Sequence, residues 1–110
     1  MKISFEQTKF FDREAFNGNL YVQKNDNKGF NALLVHCVTR HYKTRLTGAT
    51  RAYLVLEGEG TFSINDKKEK AEKDDLFLIF DNDVYEYEGE MKLFELNIPA
   101  TDSSNEEKMD

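Results

Sequence analysis

The sequence predicts one all-β domain, a sandwich or barrel built from short strands. Three observations carry that prediction. Short apolar or alternating runs recur along the chain, at residues 20–22, 30–38, 52–56, 60–64, 76–80, 84–87 and 91–98. Turn-forming residues separate them, at 24–29, 46–48, 65–67, 81–83 and 88–90. The 110 residues include nine Phe, five Tyr and no Trp, enough large side chains for one small core and too few for two.

In chain order, residues 5–16 are the one segment read as helical, with Thr8 or Asp12 as its cap. Residues 20–22 form a short strand and 30–38 a strongly apolar one. The Tyr/Leu/Val run at 52–56 and the alternating Gly-Thr-Phe-Ser-Ile at 60–64 follow. Residues 66–75 are nearly all charged and read as a hairpin connection. The apolar run at 76–80 and the strands at 84–87 and 91–98 close the domain, with Phe77, Ile79, Leu93 and Leu96 as core. Residues 1–99 form the domain. Residues 100–110 carry no large apolar side chain but Met109 and read as a flexible tail.

Charge and composition narrow the function. A single cysteine, Cys37, excludes an internal disulfide framework and multi-cysteine zinc sites. No segment approaches the roughly 20 apolar residues of a membrane helix, and residues 1–6 begin no signal peptide, so a soluble cytoplasmic protein without a membrane partner is expected. The net charge of −6 disfavours a nucleic-acid polymer as partner. Yet residues 31–56 contain no Asp or Glu while holding Arg40, Lys43, Arg45 and Arg51. This segment is either a local cationic pocket or a basic strand paired with acidic neighbours.

His41-Tyr-Lys-Thr-Arg45, followed by Arg51-Ala-Tyr-Leu-Val-Leu-Glu-Gly-Glu-Gly60, resembles the first signature of the cupin superfamily. Residues 74–89 resemble the second signature, and 91–99 the last strand of small single-domain cupins; the resemblance spans about residues 30–99. It implies a cupin-type double-stranded β-helix, a jelly-roll barrel. Most cupins bind a divalent ion through two His, a Glu and a third His. The corresponding positions here hold His41, Lys43, Arg51 and Tyr85. Two cations and a phenol replace three ligands, which argues against a metal. No metal and no cofactor are expected.

If the inward face of the resembled barrel is kept, strand alternation groups His41, Lys43 and Arg45, then Arg51 and Tyr53, then Tyr85 and Tyr87 around the interior. Glu95 on the last strand is the nearest internal counter-charge. Such a lining calls for a small anionic ligand, a phosphorylated sugar, nucleotide or carboxylate, clamped by Arg and Lys and oriented by Tyr hydroxyls. The rival reading lets Lys43 and Arg51 snorkel to the rim. Three functions follow: a metal-free binding protein; a metal-free isomerase or epimerase with His41 as base and Tyr85 as proton donor; and a metal-dependent oxygenase or isomerase using His36, His41 and Glu95. Cys37 and His41, four residues apart on an extended strand, lie about 13 Å apart and make no nucleophilic pair. Phe5, Phe10, Phe11 and Phe16 exceed what one short element buries, and small cupins pair through N-terminal strands, so a homodimer is expected.

Overall fold

Two antiparallel sheets face each other in the computed structural model, which describes residues 1–109. The strands are β1 (Lys9–Asp12), β2 (Phe16–Val22), β3 (Asn31–Cys37), β4 (Arg40–Leu46), β5 (Thr50–Gly58), β6 (Gly60–Ile64), β7 (Lys67–Ala71), β8 (Leu76–Ile79), β9 (Val84–Glu88), β10 (Met91–Ile98) and β11 (Glu106–Lys108). One sheet runs β1-β2-β3-β10-β5-β8, the other β11-β4-β9-β6-β7. Alternation decides what enters the space between them. Val35, Tyr53, Val55, Phe62, Ile79 and Leu93 are all at most 2% exposed, and the Phe62 and Phe77 rings stack at 4.1 Å. No helix is long and apolar enough to cross a membrane.

The Leu-Glu-Gly-Glu-Gly words have a steric reason. A Cβ at Gly58, whose φ is +82°, would collide with the Glu90 carbonyl, and one at Gly60 with the Glu88 carbonyl. Only glycine lets the β5–β6 connection pass this close to the β9–β10 turn. The charged segment 66–75 is more than a connection. Asn65 and Asp66 both take positive φ, as a two-residue hairpin turn requires, and Lys67-Lys-Glu-Lys continues as edge strand β7. Its charges protect an open sheet edge from adventitious pairing.

Four sequence expectations give way. Residues 5–16 form no α-helix: a 3-10 turn at Phe5–Gln7 leads into the β1–β2 hairpin, and Gln7 accepts a hydrogen bond from the Ser4 N–H at 2.7 Å. Neither Thr8 nor Asp12 caps a helix, because β2 supplies a complete antiparallel partner for residues 9–12. Leu96 is half-buried on the outer face, since the parity that buries Leu93 sends Glu95 and Asn97 inward. On β4 an extra residue lies between His41 and Thr44 relative to β9. Through this bulge His41 and Thr44 both face inward and Lys43 is pushed out.

The fourth concerns residues 100–110, which are no loose tail. Thr101 is buried, residues 103–105 make a 3-10 turn, and β11 pairs with β4 through Glu106↔Leu46 and Glu107↔Arg45. The anchor is Asn31. Its side-chain carbonyl accepts from the Thr101 N–H at 2.7 Å and Oγ1 at 2.9 Å, and its amide donates to the Thr101 carbonyl at 3.2 Å. Asn31→Ala is expected to cost about 2 kcal/mol in chemical denaturation, because buried Thr101 groups lose their partners. Amide exchange should show β11 losing protection before β10.

Candidate functional site

A cavity of about 380 Å³ opens between the two sheets. Phe11, Phe16, Leu20, Leu33 and Val35 from β1–β3 form an apolar wall, while Asn31, Arg51, Glu95, Asn97, Thr101 and Glu106 form a polar one. His41 lies between the two.

Arg51 organises the polar wall. It is 2% exposed at the start of β5, where β10 is its cross-strand neighbour and sets Asn97 directly opposite. Its Nε donates to Asn97 Oδ1 and lies 3.3 Å from Glu95 Oε2. Nη1 donates to the Tyr85 hydroxyl at 2.7 Å, and Nη2 to Glu106 Oε2 at 3.0 Å and Thr101 Oγ1 at 3.4 Å. Burial alone would lower the Arg51 pKa. Glu95 and, less strongly, Glu106 outweigh it and hold the guanidinium charged. Asn97 Nδ2 in turn donates to Glu95 Oε2 at 2.8 Å.

His41 is 4% exposed and packed among rings, with Phe16 and Tyr42 at 4.6 Å, Tyr87 at 5.0 Å and Tyr85 at 5.3 Å. Desolvation drives its pKa down to about 4, against smaller raising effects from the Tyr42 carbonyl and Glu95. The imidazole is therefore neutral at pH 7. Nδ1 lies 2.8 Å from the Tyr42 carbonyl, an acceptor only, so Nδ1 carries the proton and Nε2 the lone pair.

The sequence-selected residues divide. His41, Arg51 and Glu95 line the cavity. Lys43 does not: the bulge turns it out to Asp66 at 3.7 Å. Arg45 is outside as well, with Glu107 at 3.6 Å and the Asn82 carbonyl at 3.0 Å. Tyr53, Tyr85 and Tyr87 lie behind the lining, at most 2% exposed. Tyr85 is bonded to Arg51 and, at 3.0 Å, to Tyr53, and burial pushes its phenol up to about 12. It stands one layer behind the lining, reaching the cavity through Arg51 and His41. Among the described residues the Tyr87 hydroxyl meets no partner in good hydrogen-bond geometry. Cys37 is fully buried, its thiol raised to about 11, and His36 sits on the outer face 3.6 Å from Glu90.

The donor set does not suit the divalent ion of the cupin resemblance. Among the described residues no cluster of three His, Cys, Asp or Glu could hold one, and a guanidinium stands at the position of the family's Glu. Asn31, Asn97, Thr101 and Glu106 escaped the sequence reading. Asn97 had a signal, a polar residue two places from Glu95 and so on the same face of β10; Glu106 had none.

The buried imidazole has a consequence for stability. Its folded pKa lies below the unfolded value of 6.5, so the unfolded chain takes up a proton that the folded one refuses. Stability is fully present above pH 6.5 and falls as pH drops toward 4. Glu95, Arg51 and Arg40 set the charge around the ring. The His41 share is about 3 kcal/mol, to be read as the difference between wild-type and His41→Gln melting across that window.

No family model and no curated protein matches the chain. Solved structures do. The nucleoside dehydratase Pac13 of Streptomyces superposes with a TM-score of 0.89 at 21% identity, over 99% of this chain and 90% of that one. Further Pac13 structures hold uridine, in variants replacing a histidine by glutamine or one of two tyrosines by phenylalanine. KdgF from Halomonas sp. matches at TM-score 0.81 and 11% identity, over 94% of this chain and 97% of that one. The cupin domain of Schizosaccharomyces pombe Cnp3 matches at 0.73 and 15%, over 92% and 74%. With two facing sheets, a cavity between them and these neighbours, the chain has the fold of a small cupin.

Proposed function

We propose that the chain binds a small uncharged molecule of nucleoside type between its sheets and uses His41 as a general base on it, without a metal. One observation carries this reading: a neutral imidazole lines the cavity with Nδ1–H committed to the Tyr42 carbonyl, which leaves Nε2 to accept a proton. Glu95 would offset the imidazolium formed. The cavity is of ligand size, and its two walls suit a flat base on one side and sugar hydroxyls on the other. The likeness to Pac13, in which a histidine and two tyrosines were varied, supports the same ligand class.

The anionic ligand expected from the sequence loses its main reason, because Glu95 and Glu106 already neutralise Arg51. Isomerase and epimerase chemistry keeps His41 but needs Glu95 in place of Tyr85 as second group. Binding without turnover is the second reading, favoured by the burial of Tyr53, Tyr85 and Tyr87 behind the lining. Titration calorimetry with uridine tests binding. Turnover is sought on nucleosides with a carbonyl on the sugar, since imidazole removes a proton from carbon only where it is so activated. His41→Gln should bind within threefold of wild type and lose roughly 10²–10⁴-fold in turnover. Absence of nucleoside binding at millimolar concentration sinks the reading. Binding with no turnover in wild type favours the second.

The homodimer proposal moves from the N-terminal strands to the outer face of the six-stranded sheet. Two rows cross β8, β5, β10 and β3 there, Leu76-Leu54-Phe94-Leu34 and Leu78-Ala52-Leu96-Ala32, with Phe80 and Ile98 beside them. A sheet apolar on both faces is the pattern of one covered on both. Leu76, Leu78, Phe80 and Ile98 are 58%, 43%, 54% and 56% exposed on this one face, a contiguous apolar patch rather than scattered single residues. A two-fold pairing stacks like against like, which apolar rows tolerate. Sedimentation equilibrium should return the mass of two chains, and Leu78→Lys that of one; a wild-type monomer at tens of micromolar would refute the pairing.

A further inference from the structure

We propose that Glu106 sets the charge class of the ligand: its carboxylate occupies the outward N–H of Arg51, so that the cavity admits uncharged nucleosides and refuses phosphorylated ones. The proposal rests on the cavity's being the ligand site, but on a different residue and a different measurement from the His41 reading.

Arg51 presents a fork suited to phosphate or carboxylate. Its inner bonds end on Asn97 and Tyr85, both 1% exposed or less. Glu106 is the partner on the solvent side, its side chain 28% exposed and lining the cavity. It therefore stands where the charged group of an anionic ligand would have to dock.

Glu106 cannot readily swing away. It begins β11, whose ladder to β4 continues through Glu107 and Lys108. Asn105, just before it, donates to the Thr47 carbonyl at 2.8 Å and accepts from the Thr47 N–H through its own carbonyl at 2.8 Å. Asn31 clamps Thr101 upstream. A phosphate entering the cavity meets three carboxylates, Glu95, Asp102 and Glu106, against two guanidiniums, Arg13 and Arg51. Removing the Glu106 charge leaves two of each and lets a phosphate compete with a neutral partner for a charge-assisted donor.

Glu106→Gln tests this with two probes. Inorganic phosphate, compared with sodium chloride at equal ionic strength, should raise the melting temperature of Glu106→Gln saturably and leave wild type unmoved. Uridine 5′-monophosphate should gain about 10- to 100-fold in affinity relative to uridine for Glu106→Gln. Glu106→Asp, which keeps the charge but withdraws it from Arg51, supplies a milder variant should the glutamine destabilise β11, and should show part of the gain. Glu107→Gln, whose carboxylate faces Arg45 at the surface, should show none. A folded Glu106→Gln or Glu106→Asp without a phosphate-specific shift overturns the proposal, as does a wild type that binds phosphate equally well. Phosphate stabilisation of Glu106→Gln without any uridine binding would instead refute the nucleoside reading and uphold the role of Glu106.

Discussion

Everything around the cavity answers to one buried charge. Arg51 enters the space between the sheets because strand parity puts it on the same face as Tyr53 and Val55. A guanidinium there without partners would cost several kcal/mol, and removing one partner of a buried pair typically costs about 3–5 kcal/mol. The fold meets this demand from four directions: β10 gives Glu95 and Asn97, β9 gives Tyr85, the segment after β10 gives Thr101, and β11 gives Glu106. The C-terminal segment is ordered because Arg51 and Asn31 hold it, not because it has an apolar face to bury.

The same dry environment fixes the state of His41. Aromatic rings crowd it, and water, which would stabilise an imidazolium, is largely kept away. Burial thus has opposite outcomes at two neighbouring bases. Arg51 keeps its proton because carboxylates are bonded or close to it. His41 loses its proton because desolvation outweighs both its hydrogen bond to the Tyr42 carbonyl and the nearby Glu95 charge. A charged residue and an uncharged base line one cavity without a change in solution pH.

The fold was legible in the sequence wherever a strand buries one face. Alternation marks β6 without ambiguity, and the apolar run at 76–80 marks β8. The helix expected at residues 5–16 failed because a hairpin partner lay outside the window that periodicity inspects. The site was half legible. His41, Arg51 and Glu95 could be selected from their positions on strands, but Lys43 and Arg45 were carried along by strict alternation. One extra residue in β4 breaks that alternation, and nothing in His41-Tyr-Lys-Thr-Arg45 announces it. Leu96 failed in the opposite way: its apolar character suggested core, whereas the parity of Leu93 and Glu95 had already placed it outside. Glu106 was invisible because its role exists only when β11 lies against β4.

The charge asymmetry of the chain finds its explanation in these pairings. Residues 31–56 lack acids, and acids crowd the later segments. In the folded chain Lys43 faces Asp66, Arg45 faces Glu107, and Arg51 faces Glu95 and Glu106. Lys43, Arg45 and Arg51 each draw their partners from segments C-terminal to β5. The basic stretch and the acidic C-terminus are therefore two halves of one electrostatic arrangement, which closes only when β10 and β11 are in place. The pairs of Lys43 and Arg45 lie at the surface, where they add little to stability. Arg51 makes its two pairs in the interior, so the charge balance of the cavity is decided by two glutamates that the basic segment itself could never supply.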